Sequence, residues 1–160
     1  MLSLTLGCMY AGKTSCLIRD IPKDDFIIVD YDEKEPHFAT LTSHDNISVP
    51  CIKTNDLSKI NVSIFDTILI NEGQFFKNIV GFVKECLEHN KTVKIYGLDG
   101  DFKQEMFGEV VQLIPMCDSY VKLFATCKCG KKASFSKRLS DNREQYSPND
   151  LYEPCCRQCL

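Results

Sequence analysis

An apolar run, Leu2 to Leu6, leads directly into GCMYAGKTS at residues 7 to 15, and a helical stretch follows. The spacing G-x-x-x-x-G-K-[ST], with Gly7, Gly12, Lys13 and Thr14 in register, constrains the fold more than any other feature of the chain. A polyphosphate needs many donors at short range. A tight turn between a buried strand and a helix supplies them as inward-pointing backbone N–H groups backed by the helix dipole. Gly7 and Gly12 permit the turn, Lys13 reaches the β- and γ-phosphates, and Thr14 offers its hydroxyl to Mg²⁺. Gly7, Cys8, Met9, Tyr10, Ala11, Gly12, Lys13, Thr14 and Ser15 form the candidate ATP loop.

Further apolar runs follow at Phe26 to Asp30, Thr67 to Ile70, Val93 to Leu98 and Tyr120 to Phe124. They show little alternation, as strands covered on both faces do. The predicted fold is therefore α/β, a mostly parallel P-loop NTPase-like sheet. Ile79, Phe82, Val83, Cys86 and Leu87 recur at helical spacing, giving a crossover helix that stops near Asn90. Met106 to Ile114 reads as another helix ended by Pro115. The helix opening at Gly12 is expected to be short, because Pro22 and Lys23-Asp24-Asp25 follow closely.

Ten cysteines in 160 residues would suggest disulfides in a secreted chain. The opening apolar run is too short for a leader and lacks a basic flank, and no segment is long enough to span a bilayer. The expectation is a reducing, cytoplasmic setting without membrane contact. The net charge of -3 argues against coating nucleic acid. Cys8, Cys16, Cys51, Cys86 and Cys117 read as buried free thiols.

After Phe124 the composition changes, and residues 125–160 hold too little aliphatic material for a core of their own. Cys156 and Cys159 form a C-x-x-C knuckle, and Cys127 with Cys129 can complete a four-thiolate zinc site. Cys155 competes with Cys156. A disulfide is the other reading, disfavoured in a reducing compartment. Upstream, Glu72 follows the run Thr67 to Ile70 and precedes Gly73. It is a candidate base at the carboxyl edge of a parallel sheet; alternatively it caps a helix beginning near Phe75.

GCMYAGKTS, ILINEGQFF, YGLDGDFKQEMFGEV, ASFSKRL and LYEPCCRQC, in that order, resemble the type II thymidine kinases from end to end. The resemblance implies a kinase core over residues 1–124 and a zinc-held lasso over residues 125–160 that closes on the nucleoside. It implies transfer of the γ-phosphoryl of ATP to the 5′-hydroxyl of thymidine or a related pyrimidine deoxynucleoside, with Glu72 as catalytic base. By the same matching, Asn71 and Gln74 belong with the ATP site. Met9, Phe75, Leu98, Phe102, Ser136, Arg138 and Tyr152 belong with the nucleoside. A homotetramer inhibited by a deoxynucleoside triphosphate is the family's habit. A chain without a regulatory tail fits a viral or microbial member.

Three departures set up the alternatives. Asn71 stands where the family has Asp beside magnesium, Ser147-Pro148 replaces a glycine pair in the lasso, and VDYDEKEPHF lacks the family's basic residues after the second strand. Ser43 to Asp45 keep the family pattern. These departures motivate a competing reading, a nucleotide-binding protein of the same fold with weakened catalysis. A zinc-ribbon nucleic-acid binder using Lys131, Lys132, Lys137 and Arg138 ranks last, because it leaves the phosphate loop unexplained. Plain core packing is the alternative for Met9, Phe75, Leu98 and Phe102, and a solvated basic face is the alternative for Arg138.

Overall fold

In the computed structural model, which describes residues 1–160, the apolar runs become strands of one seven-stranded sheet. In chain order these are β1 (Leu2–Gly7), β2 (Phe26–Tyr31), β3 (His37–Thr42), β4 (Ser48–Thr54), β5 (Thr67–Ile70), β6 (Thr92–Gly97) and β7 (Ser119–Leu123). Across the sheet they run β3-β4-β2-β5-β6-β1-β7. Every pairing is parallel except β3 with β4.

Leu2, Leu4, Leu6, Ile68, Ile70, Val93 and Ile95 point to one face of the sheet. There they are buried under Ile79, Phe82 and Val83 of α2 (Ile79–Glu88). Asn90, just past α2, takes φ 58° and ends it where expected. On the opposite face, Ile28, Leu69 and Tyr96 pack on Leu17 of α1 (Lys13–Arg19). At seven residues, α1 covers only part of that face, so Ser3 and Thr5 stay half-buried and β1 alternates. The expectation of strands covered on both faces holds for β5, whose Ile68, Leu69 and Ile70 are fully buried, and fails for β1. The far end of α1 is fastened to the sheet, with Tyr96 Oη donating to Asp20 Oδ2 at 2.6 Å and Lys94 Nζ to the Asp20 carbonyl at 2.9 Å.

Sequence reading missed β3 and β4. β3 is an edge strand with Phe38 almost wholly exposed, and β4 carries Pro50 within its run, a pattern that argues against a strand. The predicted helix over Met106 to Ile114 is corrected to a 3₁₀ segment, Val110–Met116, with Pro115 inside it. Gly108 is the cause: its φ is +62°, and a Cβ there would lie 2.0 Å from the Gln74 carbonyl oxygen. The chain crosses the Gln74 backbone at this point, and no helix can run through it. Gly108→Ala is expected to cost about 2 to 4 kcal/mol from overpacking and left-handed strain. A wild-type midpoint in denaturant titration would contradict this.

Beyond the sheet lie two small antiparallel pairs. β8 (Ala125–Thr126) joins β9 (Lys132–Ala133), and β10 (Phe135–Arg138) joins β11 (Tyr152–Cys155). The buried apolar side chains among them are Cys127, Ala133, Cys155 and Cys156, with little aliphatic material to hold them together. No helix is long and apolar enough to cross a membrane.

Candidate active site

The carboxyl ends of β1, β2, β5 and β6 open on one side of the sheet, where ligands of parallel α/β proteins bind. β1 ends at Gly7, and the chain turns through Tyr10 (φ 62°) and Gly12 (φ 81°) into α1. Gly12 supplies the turn as expected, whereas Gly7 is needed for a different reason. A Cβ at Gly7 would sit 2.4 Å from the Leu123 carbonyl oxygen, so close approach of β7 demands the glycine. Lys13 folds back under the loop and donates to the Cys8 carbonyl at 2.8 Å. Burial pushes its ammonium below the usual lysine range, and the Glu72 carboxylate is the strongest opposing influence. The two groups therefore feel each other across the opening.

β5 delivers Asn71 and Glu72 to the same edge. One strand, β6, lies between β1 and β5, which sets the phosphate-loop sequence and the carboxylate about 10 Å apart at strand spacing. Glu72 occupies the left-handed region (φ 52°), uncommon for a residue with a side chain and typical of functional turns. It precedes a 3₁₀ turn, Gly73–Phe75, and its side chain does not cap it. Instead Glu72 Oε2 accepts from Gln74 Nε2 at 2.6 Å, while Gln74 Oε1 accepts from the Leu98 backbone at 2.9 Å. The buried Gln74 amide thus aims the carboxylate, a role that its place in the sequence did not disclose.

Asn71 donates from Nδ2 to Asp30 Oδ1 at 2.8 Å, and Asp30 Oδ2 lies 3.1 Å from Lys53 Nζ. Burial disfavours the Lys53 ammonium, but the Asp30 carboxylate outweighs burial and holds its pKa above the ordinary lysine value. Sequence reading missed both residues. The signal was Asp30 closing the apolar run Phe26 to Val29.

Asp30, Asn71 and Glu72 line a cavity of about 450 Å³, and Lys53 lies off it. Lys13, Thr14, Ser15, Asn71, Glu72 and Gln74 stand on its wall with Met9, Tyr10 and Gly12, while Gly7, Cys8 and Ala11 lie off it. Phe75, Leu98, Phe102, Ser136 and Tyr152 form another stretch of wall, joined by Tyr31, Phe107 and Tyr146. Phe75 stacks on Tyr31 at 4.9 Å between ring centres and meets Phe107 and Tyr146 edge-on at 5.2 and 4.6 Å. A planar ring offers two faces to such a box. Ser136 Oγ accepts from the Met9 N–H at 2.9 Å, tying the C-terminal segment to the phosphate-loop sequence. Asp45 accepts from Ser15 Oγ at 2.8 Å, so the Ser43 to Asp45 stretch lies against the start of α1.

Arg138 is not a solvated face, which corrects that alternative; it stands behind the cavity wall formed by Phe102 and Tyr152. It is 7 % exposed, with its guanidinium 4.1 Å from the Phe102 ring centre. It donates to the Tyr152 hydroxyl and to the Asn142 and Glu144 carbonyls. Asp150 Oδ2 lies 3.1 Å from Nε, paired by charge without the alignment of a hydrogen bond. Arg138 therefore shapes the loop that carries Tyr146 and Tyr152.

The Sγ atoms of Cys127, Cys129, Cys156 and Cys159 all lie within 4.8 Å of one another. Thiolates about 2.3 Å from a zinc ion form a tetrahedron with edges of about 3.8 Å, so small movements would close the site. The chemistry fits a dication. The N–H groups of Cys129 and Cys156 hold the Cys127 thiol down to about 6, whereas hydrogen bonding to the other three sulfurs pushes Cys159 up to about 12. Without a cation the four thiols cannot all ionise together. The competitor Cys155 stands outside the group and donates to the Cys156 carbonyl at 3.3 Å.

Fold and site define a mostly parallel α/β protein with a C-terminal cysteine cluster able to bind zinc. Its likeness to known proteins narrows the class. A sequence model described as Thymidine kinase matches residues 1–160. The chain is 37% identical to the thymidine kinase of Yaba monkey tumor virus over 98% of its length and 92% of that protein's. It is 36% identical to that of rabbit fibroma virus (98% and 93%) and 34% identical to that of vaccinia virus, strain Ankara (99% and 95%). The chain belongs to the thymidine kinase family.

Proposed function

We propose that the protein transfers the γ-phosphoryl of ATP to the 5′-hydroxyl of thymidine. The observation that supports this best is the shared wall of Lys13 and Glu72 in a cavity that continues into the aromatic box around Phe75. In this reading the loop N–H groups and Lys13 bind the phosphates, and the box binds the pyrimidine. Glu72, aimed by Gln74, takes the hydroxyl proton. Thr14 and Asn71 offer hard oxygen donors that suit Mg²⁺. A magnesium ion held there would supply neutralisation of the phosphate charge.

Phe75, Leu98, Met9 and Phe102 contact the base, Tyr152 closes over it from the C-terminal segment, and Ser136 and Arg138 hold that segment in place. Residues 1–124 act as the kinase core and residues 125–160 as the zinc-held lasso. Assembly as a homotetramer, inhibition by a deoxynucleoside triphosphate and a cytoplasmic setting without nucleic-acid or membrane partners complete the proposal. They rest on the family resemblance.

The test is to incubate pure protein with ATP, Mg²⁺ and each deoxynucleoside in turn and to measure monophosphate. Thymidine is expected to give the highest kcat/KM. ATP binding with no product from any nucleoside would replace this proposal with that of a nucleotide-binding protein that has lost its chemistry.

A further inference from the structure

Lys53, Asp30 and Asn71 form a row across three adjacent strands. β2 pairs with β4 so that Asp30 faces Lys53, and with β5 so that Val29 faces Ile70. The next rung sets Asp30 beside Asn71. Rung partners in a parallel ladder point to the same side of the sheet. The contacts follow from that register: Lys53 Nζ lies 3.1 Å from Asp30 Oδ2, and Asn71 Nδ2 donates to Asp30 Oδ1 at 2.8 Å. Asp30 and Asn71 are 5 % and 4 % exposed, and both reach the cavity wall. The Asn71 backbone is fixed as well, with its N–H on the Val29 carbonyl at 2.8 Å.

The direction of the Asn71 amide follows from chemistry. An ionised carboxylate only accepts hydrogen bonds, so the amide must give Asp30 its NH₂ group. The bond to Asp30 is the only one the Asn71 side chain makes within the chain. Its carbonyl oxygen is left for whatever the cavity holds. A freely turning amide would also offer NH₂ donors, which a hydrated cation rejects. The same contact accounts for a neutral residue at position 71, since two carboxylates this close cannot both ionise.

We propose that Asp30, anchored by Lys53, is a positioning residue that fixes the Asn71 amide with its oxygen toward the hydrated magnesium of bound ATP. The proposal rests on the kinase reading for the identity of the nucleotide. It adds a buried carboxylate, two strands away from the phosphate loop's own sheet neighbour β6, that acts only through Asn71.

A double-mutant cycle with Asp30→Asn, Asn71→Ala and the double variant tests it. ATP affinity is measured with and without Mg²⁺, alongside the Mg²⁺ concentration for half-maximal rate. Loss of one charge-assisted hydrogen bond predicts that Asp30→Asn weakens the Mg²⁺-dependent gain in ATP affinity about tenfold. Metal-free ATP affinity and the thymidine KM should not change. Once Asn71 is Ala, Asp30→Asn should have no further effect on the metal dependence. Additive effects in the cycle, or an unchanged metal dependence in Asp30→Asn, would overturn the proposal. If Asp30→Asn does not fold, Asp30→Glu, which keeps the charge and displaces the oxygen, takes its place. Because the binding arm needs no turnover, absence of monophosphate in the wild type would count against the kinase reading and leave the relay testable.

Discussion

Replacing Glu72 by Gln is expected to lower kcat by about 10² to 10⁴ while leaving ATP affinity unchanged. The substitution preserves shape. The new side chain can turn its carbonyl oxygen toward Gln74 Nε2 and keep the 2.6 Å contact that aims Glu72, so the left-handed turn and the Gln74 to Leu98 bond survive. What disappears is a group able to take the 5′-hydroxyl proton. Lys13 is buried and held by the Cys8 carbonyl, so it keeps its place when the charge at position 72 is lost. Steady-state rates and calorimetric ATP binding on the same preparation separate the two effects. Wild-type turnover in the variant would remove Glu72 from the chemistry, and loss of ATP binding would make it part of the nucleotide site.

A second large effect is expected from the cysteine cluster. Cys129→Ser should remove about one zinc per chain and unfold the C-terminal segment. The buried apolar material there is Cys127, Ala133, Cys155 and Cys156 with Ala125 and Cys159 against the cluster, too little to order a segment with such short strands. Structural zinc sites contribute about 10–16 kcal/mol in small peptides, far more than that core could. The consequence for the cavity is selective, because Tyr146, Tyr152 and Ser136 come from this segment while Lys13, Thr14 and Glu72 do not. Thymidine binding should be lost and ATP binding retained. Metal analysis by mass spectrometry and two binding titrations test this. A zinc-free variant with wild-type thymidine affinity would show that the metal holds nothing the site needs.

The parts of this site written along the chain could be read before the fold was known. The turn into α1 and the carboxylate after β5 each depend on a few consecutive residues, and the thiolate cluster depends on short cysteine spacings. The parts written across the sheet could not. Asp30 lies 41 residues from Asn71 in sequence and beside it in space, because β2 happens to pair with β5. Tyr31 reaches Phe75 through the same strand order, and Phe107 through the crossing of Gly108 over Gln74. Arg138 left two readings open, a place beside the nucleoside or a wet basic face next to Lys137, and only the β10–β11 pairing shows that it turns inward onto Phe102. The 3₁₀ segment after Gly108 was hidden by a helical spacing that the crossing of Gln74 overrides.

The turn around Lys13 and the carboxylate of Glu72 are expected to serve one phosphoryl group within a single cavity. A bisubstrate compound, adenosine joined to thymidine through an oligophosphate chain, measures this directly by equilibrium binding and competition. It is expected to bind more tightly than ATP or thymidine alone, and either one is expected to displace it. Affinity no better than that of ATP, with thymidine unable to compete, would contradict this expectation.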